Sequence, residues 1–558
     1  MVNIKWKLLY HKQTAVLFNI QTAVVLLKGK IMPIIINQIK TDLNAQKNDV
    51  LDKAISISGI KRSDIKTADI HKTSLDARNQ NNIQFVHSVF IQLNESEKEK
   101  ILCRNNKALN YVENSYINPV ISNVRKEGRV VVTGFGPAGM FCGLLLAENG
   151  YKPIILEKGQ DVDKRTNAVS EFWDKGKLNV KSNVQFGEGG AGTFSDGKLT
   201  TRIKDPACRY ISERFVEFGA PEEILTKSKA HIGTDNLRKI VKEIRKRIIK
   251  LGGEIRFEEE LINFSVHNGK IDSVETNNDI IPCSSLVLAI GHSSRDTFTM
   301  LSDKGIFLEA KPFSVGARIE HSQYSVEESL YGKNAGNPLL PKGEYQLSYR
   351  DKTGRGVYTF CMCPGGVVVP AASEEGAVVT NGMSYFARNG ENANSALVVS
   401  VTPKDFGSSP LSGMEFARQI EQAAFKSTNS YAAPASTVKG FLKETPDISS
   451  NISPTYALGI KPIEFRSIFP KFVTDMMSAG LNNFVNKMKC FGDGNAILTA
   501  PETRTSSPVR ITRTEEMHSL SLNNLYPCGE GAGYAGGIMS AAADGIKIAL
   551  KIMETQAP

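Results

Sequence analysis

The hydrophobic and polar positions of the chain alternate between strand-like and helix-like patterns. A short apolar run at 129–133 predicts a buried strand, a helical stretch follows at 140–149, and a second apolar strand ends at Glu157. Much later, the apolar run 286–291 predicts another buried strand, and residues 538–553 predict a closing helix. Strands that alternate with helices in this way are typical of a parallel α/β sheet.

The segments around this pattern have a different character. Residues 32–107 combine apolar strands with a short helix, which predicts a small N-terminal α+β domain, and the polar residues 108–127 predict a linker. Residues 1–31 carry lysines followed by an apolar stretch that polar residues interrupt. We interpret them as an upstream extension or a disordered tail, with a peripheral membrane helix as the alternative.

Composition narrows the class of protein. Apolar residues make up 41% and charged residues 23% of the 558 positions, which excludes a wholly disordered chain. No apolar run has the length of a membrane span. The 8 cysteines show neither metal-ligand spacing nor a disulfide framework, so no metal site is predicted and the expected compartment is the cytoplasm. The net charge of +10 permits nucleotide, acidic-substrate or nucleic-acid partners and selects none.

A glycine motif stands at the first strand-to-helix turn. Residues 134–139 read Gly-Phe-Gly-Pro-Ala-Gly. In a dinucleotide-binding turn the first glycine permits the tight turn, the second lets the backbone approach a pyrophosphate, and the third lets helix and strand pack closely. Glu157 ends the next strand, where a carboxylate can accept a hydrogen bond from a ribose hydroxyl. Strand, motif, helix and acid together predict a dinucleotide site.

Two further glycine-rich segments fit the same site. Residues 187–192 contain four glycines and are followed by Thr193, which predicts a loop whose backbone can lie against a flat or charged ligand; a merely flexible surface loop is the alternative. Residues 529–537 form another glycine-rich turn directly before the closing helix. The expected fold is therefore a discontinuous three-layer Rossmann-type domain, 128–302 and 495–558, with an inserted α+β substrate or cap domain at 303–494.

Four segments together make the chain resemble the FAD-containing oxidoreductases of the glutathione-reductase-like superfamily. They are residues 134–139, 187–192, 286–291 and 529–537. The chain also resembles a bacterial family of uncharacterised FAD-dependent dehydrogenases, through the residue sequences at 185–193, 289–295, 361–366 and 528–537. The resemblance implies non-covalent FAD, with Glu530 on the ribityl chain and the last helix directed at the flavin. The cofactor-binding residues it implies are Gly134, Gly136, Pro137, Ala138, Gly139, Glu157, Lys158, Arg165, Gly189, Gly190, Gly192, Thr193, Gly291, Gly529, Glu530, Gly533, Gly536, Gly537 and Ile538.

Candidate catalytic groups are few. Cys361 and Cys363 lie in a predicted strand, where alternate residues point the same way, so a redox-active dithiol is one interpretation and ordinary buried cysteines are the other. His292 follows the glycine that ends strand 286–291, where it could donate a proton or simply bond to the backbone. For Arg318 with His321, and for Arg504, structural pairing is favoured over contact with an anionic substrate.

The sequence thus predicts an FAD-dependent oxidoreductase that transfers hydride between bound flavin and either NAD(P)H or an unknown small-molecule substrate. No second strand-glycine-helix unit is present, so NAD(P)H is expected to dock transiently. One alternative is an FAD-dependent RNA-modifying enzyme, suggested by the basic helix 235–251, although no aromatic residues are interleaved there for base stacking. The other is a non-enzymatic flavin-binding sensor or scaffold with a partner protein.

Overall fold

The computed structural model describes residues 34–105, 109–111 and 117–558, and the predicted tail 1–31 lies outside them. The chain divides into two compact units. The first is Met1–Tyr116 with Leu225–Ser228, and the second is Ile117–Ile224 with Lys229–Pro558.

The first unit is a four-stranded antiparallel sheet with helices. Its strands are β1 Ile34–Thr41, β2 Ile65–Asp76, β3 Gln84–Leu93 and β4 Leu109–Tyr111, and its helices are Lys47–Ser58 and Ser96–Asn105. The strand order is β2-β3-β1-β4. Because β4 pairs with β1, the predicted linker 108–127 is wrong over these three residues. Residues 225–228, which the sequence assigned to the cofactor domain, instead bond to Thr73 of β2.

The second unit contains the remaining strands and helices of the described chain. Its strands are β5 Arg129–Thr133, β6 Ile154–Glu157, β7 Glu254–Phe257, β8 Leu261–His267, β9 Lys270–Thr276, β10 Ile280–Leu288, β11 Leu308–Ala310, β12 Phe313–Ser322, β13 Ser348–Arg350, β14 Gly356–Cys363, β15 Val367–Pro370, β16 Thr380–Met383, β17 Asn392–Val401, β18 Ala433–Thr437, β19 Ile460–Pro462, β20 Ile497–Glu502, β21 Val509–Ile511 and β22 Leu525–Pro527. Its helices are Pro137–Glu148, Val162–Lys175, Ala207–Glu217, Thr234–Lys250, Arg295–Asp303, Gln323–Tyr331, Pro403–Phe406, Ser412–Thr428, Val438–Leu442, Lys471–Phe484 and Ile538–Thr555.

A parallel sheet organises the part of this unit that carries the first glycine motif. Its strands run in the order β7-β6-β5-β10-β22, and each neighbouring pair is parallel. Successive residues of β5 point to opposite faces. Val130 and Val132 pack with helices Pro137–Glu148 and Ile538–Thr555, whereas Val131 packs on the other face. The sheet is therefore buried on both sides, which explains why its central strands are almost wholly apolar.

The inserted block forms a second, seven-stranded sheet in the order β13-β14-β17-β12-β20-β18-β19. Strand β20 lies inside this sheet, between β12 and β18. The predicted boundary at residue 495 is therefore too early, because this apolar strand completes the core of the insertion and not that of the parallel sheet.

The prediction of a mixed α/β fold is confirmed. Two short strands, β11 and β21, pair antiparallel where the chain enters and leaves the insertion. Among the described helices, none is both long and apolar enough to cross a bilayer.

The contact between helices Pro137–Glu148 and Ile538–Thr555 can be tested at Gly545. A Cβ atom at this position would stand 2.0 Å from the backbone oxygen of Ala138. We expect Gly545→Ala to lower the free energy of unfolding by about 1–3 kcal/mol, because the backbones must separate. Chemical and thermal unfolding would measure it.

The matched control is Gly356→Ala, where the nearest atom to a new Cβ is Ser400 Oγ at 3.5 Å. This change should stay within about 0.5 kcal/mol of wild type. Equal effects of the two substitutions would contradict the close packing of the helices.

Candidate functional site

A cavity of about 520 Å³ opens at the carboxyl ends of the parallel strands. One wall comes from the ends of β5 and β6 and from the residues that follow β10. The opposite wall comes from the insertion and includes Tyr345, residues 360–363 and Arg504. The carboxyl edge of a parallel sheet is where α/β proteins bind ligands.

The first glycine motif forms the tight turn that the sequence predicts. Gly134 has a φ of +97°, and a Cβ there would stand 2.3 Å from the carbonyl oxygen of Ala289. A Cβ at Gly139 would stand 1.9 Å from the oxygen of Gly134. Helix Pro137–Glu148 starts at this turn, and no side chain of the described residues caps it. Its free N–H groups and partial positive charge are therefore available to an anionic ligand.

The carboxylate of Glu157 connects three backbone segments. It accepts hydrogen bonds from the N–H groups of Phe135 (2.9 Å), Gly159 (2.9 Å) and Gly187 (3.0 Å). Glu157 also lines the cavity. Two carboxylate oxygens offer about four acceptor positions, so one remains for a ligand hydroxyl. The contact with a ribose stays a prediction.

Arg165 holds the second glycine segment from behind. Its side chain is fully buried and does not line the cavity. Its guanidinium donates, at 2.7–3.2 Å, to the backbone oxygens of Asn183, Val184, Gly187, Glu188 and Gly190. Burial lowers the pKa of this guanidinium to about 9, so it stays charged at neutral pH. Arg165 thus positions the loop, whereas the resemblance implied direct contact with a cofactor.

The second glycine segment lies directly against the first. A Cβ at Gly190 would stand 3.0 Å from the Cα of Gly136. Gly190 and Gly192 line the cavity. Gly189 and Thr193 face inward instead, and the Thr193 hydroxyl donates to the backbone oxygen of Glu188 at 3.3 Å. The loop therefore presents backbone, not hydroxyl groups, to the cavity at this point.

The third glycine segment brings a second helix N-terminus to the same cavity. Gly536, Gly537 and Ile538 line it, at the start of helix Ile538–Thr555. No side chain of the described residues caps this helix either. Gly529 and Gly533 lie outside the cavity lining, and the N–H of Gly529 donates to Asp544 at 2.7 Å. Of the implied residues in this segment, Glu530, Gly536, Gly537 and Ile538 line the cavity, whereas Gly529 and Gly533 support the turn.

Lys158 and Gly291 also line the cavity, as the resemblance implied for cofactor binding. The Lys158 ammonium forms an ion pair with Asp296 and lies 3.5 Å from Glu260.

His292 and Glu530 face each other, with Nε2 and Oε1 4.0 Å apart. Burial, together with the nearby Arg504 and Arg295, lowers the pKa of His292 to about 3. Its imidazole is therefore neutral near pH 7 and keeps a single N–H, and its role as a proton donor stays a prediction. Burial raises the pKa of Glu530 to about 7. Glu530 is thus the group of this pair that exchanges a proton near neutral pH.

The dithiol interpretation of Cys361 and Cys363 rests on a strand alternation that the structure interrupts. The pairing of β14 with β17 shifts register between Phe360 and Cys363, and Cys361 has a φ of +43°. Cys361 is exposed at the cavity wall, whereas Cys363 is buried, and both are free thiols. Desolvation inside the cavity raises the pKa of the Cys361 thiol to about 12, which keeps it protonated.

Arg318 is part of the structure of the insertion. Its buried guanidinium forms a two-point ion pair with Glu502, at 3.0 and 2.7 Å. His321 is buried against Tyr345 and Phe491. Neither Arg318 nor His321 lines the cavity, so the structural interpretation favoured for them is supported.

Sequence reasoning missed a charged cluster of the cavity lining, in which Glu344 of the insertion meets two lysines that precede the insertion. Lys198 and Lys229 both pair with Glu344, at 3.3 and 2.9 Å, and all three line the cavity. No local motif marks these residues, because they come from segments that are distant in sequence and meet only in the folded chain.

Comparison with known proteins identifies related sequences. Residues 312–505 match the family described as FAD-dependent protein, C-terminal domain-like. An uncharacterized protein of Clostridium beijerinckii is 48% identical over 530 residues, which cover 94% of this chain and 99% of that protein.

Three solved structures show a distant similarity to this chain. Glycine oxidase from Bacillus cereus is 10% identical over 77% of this chain and 95% of its own, with a TM-score of 0.29. L-proline dehydrogenase from P. horikoshii is 12% identical over 78% and 95%, with a TM-score of 0.32. L-amino acid deaminase from Proteus vulgaris is 13% identical over 80% and 97%, with a TM-score of 0.29. TM-scores of this size do not establish a shared arrangement.

The opposite pKa shifts of Glu530 and His292 predict opposite effects of pH on stability. Folded Glu530 keeps its proton up to a pKa of about 7, against a usual pKa of 4.5. Its contribution therefore lowers the free energy of unfolding as the pH rises from 4.5 to about 7. His292 has a pKa of about 3 in the folded protein, against a usual pKa of 6.5. Its contribution therefore lowers the free energy of unfolding as the pH falls from 6.5 to about 3. Glu530→Gln should therefore stabilise the protein most near pH 7, and His292→Asn most near pH 4.

The size of each effect should be about 1–3 kcal/mol, since one pKa unit corresponds to about 1.4 kcal/mol. Thermal unfolding of the flavin-free protein between about pH 4 and pH 8 would measure it, and each variant serves as the control for the other. Parallel pH profiles for the two variants would contradict the assignment.

Proposed function

The chain belongs to the family of the Clostridium beijerinckii protein, and on this premise and the glycine-lined cavity we propose that it is an FAD-dependent oxidoreductase. The convergence of three glycine segments on one cavity carries the proposal. The match of residues 312–505 to an FAD-dependent protein domain supports it.

The cavity fits a dinucleotide in one specific respect. Gly291, Gly536 and Gly537 all line it, and a Cβ at any of them would meet nothing within 4 Å. Any side chain at these positions would extend into the cavity itself. Glycine therefore keeps the space clear for a ligand that approaches the backbone closely.

When bound, FAD supplies the capacity to accept and release hydride. The chain binds and orients it. The N-terminus of helix Pro137–Glu148 would meet the pyrophosphate, and Glu157 would accept a hydrogen bond from the ribose. The N-terminus of helix Ile538–Thr555 would stabilise negative charge on the reduced flavin. Glu530 would hold or release a proton on the same side, since its pKa lies near 7.

The hydride donor is either NAD(P)H or the substrate itself. The described residues contain one strand-glycine-helix unit of the dinucleotide type, at 129–148, so a nicotinamide would dock transiently in the same cavity. The basic helix 235–251 supports RNA binding less strongly in the structure than its sequence suggests. Its Lys242 and Arg245 pair with Asp163 and Glu188, so part of its charge is already neutralised.

The purified protein is expected to be yellow, with the absorption bands of oxidised flavin, and to release FAD on denaturation. Anaerobic NADH or NADPH should bleach these bands if a nicotinamide is the donor. A yellow protein that neither nicotinamide bleaches would favour the substrate as the donor, or the alternative of a non-enzymatic flavin-binding sensor. A colourless protein that FAD does not reconstitute would contradict the proposal.

Gly537→Val tests the cavity without disturbing the fold. The φ of Gly537 is 166°, which any residue adopts, and no atom lies within 4 Å of a new Cβ. We expect unchanged thermal stability of the flavin-free protein and a loss of FAD affinity of at least about tenfold, because the side chain occupies ligand space. FAD titration followed by flavin fluorescence would measure it.

The control for this variant is Gly356→Ala, which lies outside the cavity lining and should bind FAD as wild type does. Wild-type FAD affinity in the Gly537→Val protein would show that the flavin does not occupy this part of the cavity.

A further inference from the structure

Two buried arginines beside the cavity share one buried carboxylate. Glu421 is fully buried and accepts hydrogen bonds from Arg295 at 2.9 Å and from Arg504 at 2.9 and 3.0 Å. Arg295 also bonds to the partly exposed Glu374, which Arg418 neutralises from the solvent side. Arg418 also pairs with the partly exposed Glu415, so the wider network balances three arginines with three carboxylates, and two guanidinium groups share one carboxylate only in its buried part.

Arg504 brings a hydrogen-bond donor of this buried group to the cavity. Arg504 lines the cavity, and its Nε and Nη2 atoms are engaged by Glu421. Its Nη1 makes no hydrogen bond or ion pair with the described residues. A guanidinium that is bound on one edge and free on the other presents planar donors to a second acceptor.

The neighbouring wall offers this donor no free carboxylate. Among the described residues of the insertion side, Glu344 is paired with Lys198 and Lys229, and Glu502 is paired with Arg318. His292, which also lines the cavity, is neutral because burial and the positive charges of Arg504 and Arg295 lower its pKa. The two carboxylates of the insertion wall are thus already paired, and Glu530, which also lines the cavity, faces His292.

We propose that the free edge of Arg504 binds the carboxylate of a small organic acid, which is the substrate class of this site. That the bound acid is a substrate rests on the proposed function, whereas its binding to Arg504 does not. The one free edge of this guanidinium matches a carboxylate, whereas a phosphate monoester carries nearly two charges and requires more donors than this edge supplies.

Calorimetry and flavin absorbance can test the proposal with simple probes. The FAD-loaded protein is titrated with acetate, butyrate and benzoate, with the matching neutral amides, and with inorganic phosphate. At least one carboxylate should bind saturably, shift the flavin bands and bind at least about tenfold more tightly than its amide, since a charge-assisted hydrogen bond is lost in the amide.

Arg504→Gln should weaken carboxylate binding at least about tenfold, and Arg504→Lys should retain part of it, because lysine keeps the charge and loses the planar donors. Arg466→Gln is the matched control. Arg466 also pairs with carboxylates but lies on the surface, outside the cavity lining, so its replacement should leave binding unchanged.

Removing Arg504 leaves Glu421 with fewer partners, which can destabilise the fold. If Arg504→Gln loses its FAD, the double variant Arg504→Gln with Glu421→Gln removes both charges and repeats the test. Wild-type carboxylate affinity in either folded variant, phosphate binding tighter than every carboxylate, or binding of no carboxylate would overturn the inference. Because FAD content is read separately, a yellow protein with any of these results leaves the proposed function intact. A protein that does not bind FAD would contradict the proposed function, and calorimetric titration with the carboxylates would still test the role of Arg504.

Discussion

The candidate site depends on one buried cation, the guanidinium of Arg165. Its five hydrogen bonds all go to backbone oxygens of residues 183–190. Burial of an unpaired charge is costly, and charge-assisted bonds to carbonyl dipoles offset that cost only while the loop keeps this conformation. The loop in turn donates from Gly187 to Glu157 and lies against Gly136. Two glycine segments that are about fifty residues apart are thereby fixed in one geometry.

The part of the site that sequence predicts is the part that is encoded locally. In residues 134–139 the requirement for glycine comes from the turn itself, since a Cβ at Gly139 would strike the oxygen of Gly134. The closing helix is equally local, because apolar and small residues repeat along 538–553 at helical spacing. The apolar strands of the parallel sheet follow from burial on both faces. These features can be predicted because each depends only on residues that are near one another in the sequence.

The remainder depends on pairing between distant segments. Strand β20 belongs to the insertion because of its neighbours β12 and β18, which no local pattern of residues 497–502 reveals. The alternation expected around Cys361 fails because the register of β14 against β17 shifts there. The environment of Arg504 similarly requires Glu421 to arrive from a separate helix. Sequence reasoning named Arg504 as a candidate, but its one free edge is visible only in the folded structure.

The paired strands β11 and β21 have a consequence for the modular history of the chain. The insertion leaves the parallel-sheet domain through Leu308–Ala310 and returns through Val509–Ile511, and these two segments are hydrogen-bonded neighbours. Adding or exchanging the block between them therefore does not require the flanking parts of the chain to move apart. A shared base of this kind lets one cofactor scaffold be combined with different caps, so that the choice of substrate can diverge while the machinery for the flavin is retained.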